Sequence, residues 1–545
     1  MLQAVEKKRV ISLTNFISDQ TKITWLVFLG GLLLFVINTF GLNFGFGVEE
    51  SRYVFFAQEM LRQGLTPFPI LYGHPYPDYP ATHTILIYLG SLFGHQVTPF
   101  TAILPSALAS ALILAITYRI AATHSARWGL YAVLFLLATY EFLLLARTPS
   151  PDPLVALVTV ASFYWVYTGK APWVLLGFFV GGFLVRGPIG LVIPALVIGV
   201  FYFLEKNYKA FFWIAGSSAM LLVLCTGIQL WIAEEVSGIA FAHEVFFMEA
   251  GGRINNLGQR AFYYYFVNGL GGYALAFPMA VLTLISYRKK IFKSETTPAM
   301  RLLKQLAGWA FIILLVLSFP KEKHFRYIIA AAPAFALIAA YGLAGNARPY
   351  GLVKLQTAFT FVSKVLPWFS VLVLAGLFFA KQGSLLHINY AASVPILGLL
   401  ALTTLWLSRM KLIQENRQLV FFSVGVATLL TIFIFVAQPL AEQYITSVKP
   451  LLDKVVAQRK PEQQIVFYQI EPDREGLKFS VLLNKSIPEV FIETPQQLMQ
   501  FKQPAIFVTA KKIFDTLGAT TKDQFKILWQ EKSARNWWVV FINNS

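Results

Sequence analysis

Long apolar stretches, each close to the length of a membrane span, dominate the sequence as far as residue 438. There are thirteen of them, at 24–42, 101–120, 128–146, 153–168, 172–185, 188–204, 211–232, 262–286, 305–319, 326–345, 366–380, 393–409 and 418–438. A bilayer core takes about 20 apolar residues per helix. Of the 545 residues, 57% are hydrophobic and only 13% are charged, too few to cover a soluble fold of this size. The pattern predicts a mainly α, polytopic membrane protein with about 13 transmembrane helices, and excludes a cytosolic enzyme, a disordered chain and a fibrous repeat.

The positions of the basic residues predict the orientation. The first apolar stretch is too long for a signal peptide, so we expect an uncleaved span with a cytoplasmic N-terminus. The inner loops then hold 21 Lys and Arg residues and the membrane-proximal outer loops hold 10, as the positive-inside rule requires. Residues 82–95 are apolar but short, and we interpret them as an interfacial helix. The net charge of +18 is therefore a membrane feature, and no nucleic acid partner is expected.

The composition changes after the last apolar stretch. Residues 1–438 form the predicted membrane domain, with a large first extracytoplasmic loop at 43–100, and residues 439–545 form a small soluble α/β domain outside the cytoplasm. Strands are predicted there at 465–470, 479–483, 489–492, 505–508, 525–529 and 537–542, and helices near 449–459, 495–502 and 511–517. This domain contains no Gly-rich nucleotide loop, so it is assigned no chemistry.

Acidic side chains concentrate at the predicted outer ends of the spans, where buried charge usually marks function. Glu49 and Glu50 follow the first span and precede Arg52 and Tyr53, which offers a general base beside a phosphate or sugar contact. Asp152 lies between prolines at the start of a later span. The alternatives are structural, because acids favour helix N-termini and aspartate is a common N-cap.

Basic side chains on the same side predict a site for an anionic phosphate. The segment FPKEKHFRY contains several of them, where the positive-inside rule expects few. The candidate phosphate ligands are Arg186, Arg253, Lys321, Lys323, Arg326 and Tyr327. The alternatives are contacts with lipid headgroups and, for the tyrosines after Arg253, an aromatic belt.

The segment HPYPDYPATH leaves open whether the protein binds a divalent metal ion. Asp78, which precedes Tyr79, lies between His74 and His83, but the spacing fits no standard metal motif. A loop shaped by its prolines is the competing interpretation. The single cysteine, Cys225, excludes an intrachain disulfide and a thiolate metal site. No nucleotide or organic cofactor is expected.

Six short motifs, in order, resemble the GT-C superfamily of membrane glycosyltransferases. Within it, the likeness is to the protein-mannosyltransferase-like group that includes the aminoarabinose transferase of lipid A. The motifs are EESRY at 49–53, PYPDYPATHTIL at 75–86, LPSAL at 104–108, PSPDPLVAL at 149–157, VRGPIGLVIP at 185–194 and KEKHFRYIIAAAPAFAL from residue 321. Glu49 stands for the usual Asp, Tyr79 for a Lys and Arg186 for a Lys.

The resemblance implies a transferase that takes a sugar from a polyprenyl-phosphate donor to a lipid, glycan or protein acceptor on the outer face of a cell's inner membrane. Glu49 would be the main acidic residue, assisted by Asp152, with Asp78 at the position of a family Glu. The residues around the donor phosphate would be Arg52, Arg186, Arg253 and Tyr327. Two other classes stay open, a lipid-linked sugar flippase and an inactive GT-C-like scaffold. A transporter would place ionisable residues deep in several spans, and few occur, with Glu141 one of them.

Overall fold

The computed structural model describes residues 19–39, 44, 46–77, 80–248, 260–291, 297–345, 349–379, 388–410 and 414–543. Its first part is a bundle of helices. They are α1 (Gln20–Val36), α2 (Val48–Gln63), α3 (Thr82–Ser91), α4 (Pro99–Ala122), α5 (Ala126–Leu137), α6 (Tyr140–Ala146), α7 (Asp152–Tyr167), α8 (Leu175–Leu204), α9 (Tyr208–Phe246), α10 (Tyr264–Gly272), α11 (Ala276–Ile291), α12 (Pro298–Leu317), α13 (Ala332–Ala344), α14 (Tyr350–Phe379), α15 (Tyr390–Arg409) and α16 (Gln414–Ile432). A 3-10 helix, Phe325–Ala331, leads into α13, and a short hairpin of β1 (Ile70–Leu71) and β2 (His74–Pro75) separates α2 from α3.

Within the described residues, a helix lies in each of the thirteen predicted spans, which confirms the mainly helical membrane fold. Within the described ranges, eight helical segments are long and apolar enough to cross a membrane, or ten if each of two bent pairs is one span. The pairs are α5 with α6, bent by 75°, and α10 with α11, bent by 118°. Helices α1 and α7, with 17 and 16 residues, are shorter than this criterion. The number of 13 therefore stays a prediction.

Helix α13 lies at the centre of the bundle. All of its residues except Tyr341 and Ala344 are buried, and most are small, which allows neighbouring helices to approach closely. Indole groups from two flanking helices donate to backbone carbonyls here: Trp128 Nε1 to Leu337 O at 2.7 Å, and Trp309 Nε1 to Ala330 O at 3.0 Å. This close packing fixes the polar segment that precedes α13.

The last helical run of the bundle continues past α16 to Thr446, and a mixed α/β unit follows. After the four-residue α17 (Gln438–Ala441), its elements are α18 (Lys449–Gln458), β3 (Gln464–Tyr468), α19 (Glu475–Leu483), β4 (Glu489–Ile492), α20 (Pro495–Gln500), β5 (Ala505–Ala510), α21 (Lys511–Asp515), α22 (Ala519–Lys522), β6 (Phe525–Ser533) and β7 (Asn536–Asn543). The sheet has the order β4-β3-β5-β7-β6, with β3 parallel to β4 and β5, and β7 antiparallel to β5 and β6. We call this unit, residues 449–543, the C-terminal region.

Five of the six predicted strands and all three predicted helices of the C-terminal region are confirmed. The predicted strand at 479–483 is wrong, because these residues form the second half of α19. A short apolar run does not by itself distinguish a strand from a buried helix. Here Leu477, Phe479 and Val481 are buried in the helix, two of them against α2.

Candidate active site

The first turn of α2 carries the two adjacent acids, Glu49 and Glu50. The helix begins at Val48 with Gly47 as its N-cap, and acids are favourable at this end of a helix. The Glu50 carboxylate folds back over Gly47, and a Cβ at position 47 would collide with Glu50 Oε2. Burial raises the pKa of the Glu50 carboxyl, and the neighbouring Glu49 adds to this. Glu49 instead points to the bundle.

Four charged side chains of alternating sign form what we call the ion chain: Glu49, Arg326, Asp152 and Arg186. Arg326 Nη2 pairs with Glu49 Oε2, and its Nε lies 3.8 Å from Asp152 Oδ2. Asp152 Oδ1 pairs in turn with Arg186 Nη1. The Glu49 side chain is 42% exposed, whereas those of Asp152 and Arg186 are 5% exposed. The chain therefore runs from an accessible carboxylate into the protein, with each acid neutralised by a guanidinium.

Asp152 is held by serines rather than serving as a helix cap. It is the first residue of α7, and the N-cap position before it is occupied by Pro151, which makes no side-chain capping hydrogen bond. Ser150 Oγ donates to Asp152 Oδ2 at 3.0 Å. Ser106 Oγ in turn donates to Ser150 O at 2.9 Å, and Ser150 N donates to Ser106 Oγ at 3.1 Å. The carboxylate is thus oriented toward the two arginines.

Arg186 lies at a break in α8. Its φ and ψ are −149° and 34°, and those of Gly187 are 58° and −147°, which only glycine adopts readily. The backbones of the two halves of the helix touch at Gly182 and Gly190. A Cβ on Gly182 would collide with Gly190 O, and a Cβ on Gly190 would collide with Gly182 O. The Arg-Gly-Pro motif is therefore a reversal that presents one buried guanidinium to Asp152.

The ring of Tyr327 lies close to both guanidiniums. Arg186 Cζ is 5.4 Å from the centre of its ring and Arg326 Cζ is 5.6 Å from it. A ring face within about 6 Å of a cation attracts it. Tyr327 therefore helps to hold two like charges close together, as an anion-binding site requires.

A cavity of about 430 Å³ adjoins the ion chain. Both the bundle and the C-terminal region line it. Its ionisable lining residues are Glu50, Glu141, His324, Arg326, Glu442 and Arg535. Carboxylates and cations around one cavity can accept a proton from a hydroxyl and hold an anion beside it.

Several of these residues were absent from the predicted site. Glu141 is buried at the start of α6, and an acid within an apolar segment is a signal that could have identified it. His324 lies in the basic segment already singled out. Glu442 and Arg535 follow the last span, and nothing in their local sequence distinguishes them.

The other predicted site residues lie elsewhere or outside the described ranges. Arg52 Cζ stacks 5.0 Å from the ring centre of Tyr76, and Tyr53 packs edge-on against His83 at 5.1 Å. Lys323 is buried and donates to two carbonyls, those of Arg260 at 3.2 Å and of Pro320.

Lys321 is exposed, and its carbonyl accepts from the Arg260 amide at 3.3 Å. Asp78, Tyr79 and Arg253 lie outside the described residues. Within the described part of the chain, no three His, Cys, Asp or Glu side chains cluster closely enough to hold a metal ion.

The chain is similar to known proteins both in sequence and in fold. Residues 76–231 match the model of the family described as dolichyl-phosphate-mannose-protein mannosyltransferase. An uncharacterized protein of Aquifex aeolicus is 26% identical over 390 residues, 69% of this chain and 72% of that protein. The undecaprenyl phosphate-alpha-4-amino-4-deoxy-L-arabinose arabinosyl transferase 1 of Sodalis glossinidius is 27% identical over 314 residues, 54% of each chain.

The fold is that of a solved structure. The crystal structure of ArnT from Cupriavidus metallidurans bound to undecaprenyl phosphate covers 97% of this chain and 98% of its own, with a TM-score of 0.64 and 16% identity. Its apo state matches equally well. The family match, the curated relative and this fold make the chain similar to membrane glycosyltransferases of the ArnT and protein-mannosyltransferase type.

Proposed function

We propose that the chain moves a sugar from a polyprenyl-phosphate donor to a lipid, glycan or protein acceptor at the extracytoplasmic face of an inner membrane. The observation that carries the proposal is the ion chain, which ends in an accessible Glu49 paired with Arg326 beside the cavity. The N-terminus would lie in the cytoplasm. Residues 1–438 would form the transferase domain and residues 439–545 the extracytoplasmic domain that closes its cavity.

The ion chain describes a resting state in which Glu49 is neutralised by Arg326. A donor phosphate entering the cavity competes for this guanidinium, because arginine binds phosphate in a two-pronged geometry. Once Arg326 turns to the phosphate, the Glu49 carboxylate loses its ion-pair partner and is available to accept the proton of the acceptor hydroxyl. Donor binding thereby activates the base.

The transfer step follows from this arrangement. The acceptor hydroxyl gives its proton to Glu49 while its oxygen forms a bond to the anomeric carbon of the donor sugar. The bond between that carbon and the phosphate oxygen breaks, and its electron pair leaves with the polyprenyl phosphate. Arg326, with Arg186 near the same ring of Tyr327, stabilises the growing negative charge on the phosphate. Asp152 keeps both arginines in place.

Glu50 has a separate part in the proposal. It lines the cavity, whereas Glu49 and Asp152 do not, and burial raises its carboxyl pKa. A carboxyl of raised pKa is a good hydrogen-bond partner for an incoming hydroxyl. We assign to Glu50 the orientation of the acceptor beside Glu49.

The test is donor consumption by the purified full-length protein in nanodiscs. A panel of polyprenyl-phosphate sugars would be incubated with a crude envelope extract, beside Glu49→Gln and the control Glu462→Gln, which removes an exposed charge in the C-terminal region. We expect one donor to be consumed by the wild type and the control but not by Glu49→Gln. Equal donor binding by all three proteins with no consumption would contradict the proposal and favour a flippase or scaffold.

A further inference from the structure

The hairpin of β6 and β7 reaches from the C-terminal region to the cavity of the bundle. Arg535, in its two-residue connection, lines the same cavity as Glu50, Glu141 and Arg326. Its side chain is exposed, and it makes no hydrogen bond or ion pair with any residue in the described part of the chain. The hairpin thus brings a guanidinium to the cavity without using it for packing.

The hairpin tip is held in place. Ser533 Oγ donates to Ser447 O at 3.2 Å, which fastens the end of β6 to the segment leaving the bundle. Trp538, buried at 2% exposure, donates from Nε1 to Ser533 O at 3.0 Å. Between them Ala534 is buried with a positive φ of 53°. The backbone that carries Arg535 is therefore fixed before any ligand arrives, which lowers the entropic cost of binding.

Among the described residues that line the cavity, the other two basic side chains already have partners. Arg326 pairs with Glu49, and His324 Nε2 lies 3.2 Å from Glu322 Oε1. In the proposed reaction the donor phosphate takes Arg326. Of the described lining residues, Arg535 then has the guanidinium that is left for a second anionic group, which it can bind through two parallel N–H donors.

We propose that Arg535 is an acceptor-binding residue, which holds a phosphate or carboxylate group of the acceptor. The acceptor hydroxyl that attacks the donor is a different group and faces Glu49 and Glu50. The proposal rests on the proposed function and goes beyond it, because it makes the acceptor an anionic lipid, glycan or peptide. It also gives the C-terminal region a part in selecting the acceptor.

The experiment compares Arg535→Gln with Lys532→Gln, which removes the same charge from an exposed position three residues away on the same hairpin. Transfer is measured against the concentration of the envelope acceptor fraction at saturating donor, and then against donor. Loss of a charge-assisted hydrogen bond predicts a rise of roughly 10-fold or more in the acceptor KM for Arg535→Gln. The donor KM and kcat should change less than about 2-fold, and Lys532→Gln should match the wild type. An unchanged acceptor KM, or a rise in the donor KM instead, would overturn the proposal.

A binding measurement separates this inference from the proposed function. Dodecyl phosphate is titrated into the wild type, Arg535→Gln and Lys532→Gln in phosphatidylcholine nanodiscs, with dodecanol as the uncharged probe. We expect Arg535→Gln to lose one phosphate-binding event that Lys532→Gln retains. If the wild type transfers no sugar, the proposed function fails, and this titration alone decides whether Arg535 binds an anion. Equal binding of dodecyl phosphate by the two variants would refute the proposal that Arg535 binds an anion.

Discussion

Each end of α2 carries a glutamate, and the two glutamates have different surroundings. At its start, Glu49 has one charged partner, Arg326, and is 42% exposed. In its last turns, Glu59 is 1% exposed and accepts from Arg62, from Gln63 at 2.7 Å and from Lys485 at 2.7 Å. The first carboxylate has a partner that a substrate can displace, and the second is saturated by three donors. A carboxylate whose partner can be displaced is available to react, whereas a carboxylate with three hydrogen-bond donors holds two parts of the molecule together.

The second half of α2 packs against the C-terminal region. Gln58 Nε2 donates to Val481 O at 3.1 Å, and Arg62 Nη1 donates to Asn484 Oδ1 at 2.8 Å. From the following loop, Tyr72 OH lies 2.8 Å from Ser480 Oγ. We call this set, together with Glu59 and Lys485, the α2 clamp. It fixes the helix whose other end carries Glu49.

The largest expected effect is on the rate of transfer. Glu49→Gln removes the proposed base, and general base catalysis contributes roughly 10²- to 10⁴-fold. We expect kcat to fall by about this factor while the thermal unfolding midpoint stays close to that of the wild type, because Glu49 is partly exposed. Initial rates and a thermal melt on the same preparation check it. A variant that retains full activity would break the comparison between the two ends of α2.

Asp152→Asn should lower both the rate of transfer and the stability of the protein. It leaves Arg186 buried without its counter-charge, and breaking a buried ion pair costs about 3–5 kcal/mol. We expect a lower unfolding midpoint than for Glu49→Gln, and loss of transfer. The double variant Asp152→Asn with Arg186→Met should regain part of the stability but none of the activity. If the double variant is less stable than Asp152→Asn alone, the loss of stability does not come from the broken Asp152–Arg186 ion pair.

Glu59→Gln should lower stability and spare catalysis. It takes a buried charge from Arg62 and Lys485, and hydrogen bonds to charged groups contribute about 1.5–3 kcal/mol. We expect a lower free energy of unfolding, with transfer per folded molecule within about 3-fold of the wild type. Lys449→Gln, at an exposed ion pair with Asp453, is a control for which almost no change is expected. A 100-fold rate loss for Glu59→Gln at unchanged stability would show that the clamp acts in the reaction.

The smallest expected effect is a pH dependence of stability that comes from Glu489, which interacts with Ser480 and Lys485 of the α2 clamp. Burial raises the pKa of the Glu489 carboxyl from 4.5 to about 7, against the opposing effect of the Ser480 hydrogen bond and of Lys485. A raised pKa in the folded state means that its contribution to stability is present below pH about 4.5 and is lost as the pH rises through about 7. Thermal unfolding between pH 5 and pH 8 should show this decline, and Glu489→Gln should flatten it. An equally steep decline in the variant would assign the titration to another group.

The helical membrane fold and most of the C-terminal elements were predictable from the sequence, because apolar length and periodicity are local properties. The strand predicted at 479–483 was wrong because its burial depends on α2, more than 400 residues earlier. The residue types of the candidate site were also readable: Glu49, Asp152, Arg186, Arg326 and Tyr327 were all singled out. The sequence does not show that four of these residues come together as one ion chain.

The sequence by itself determined which segments avoid water and which carry charge, since hydrophobic burial follows the composition of each segment. The tertiary structure decided which charges meet. Glu49 and Arg326 are 277 positions apart, and nothing in either segment specifies the other. The same holds for Arg535, whose local sequence is an ordinary hairpin turn and whose place at the cavity comes from how the C-terminal region packs on α2. Electrostatic partners are chosen by distance in space, which only the packed fold sets.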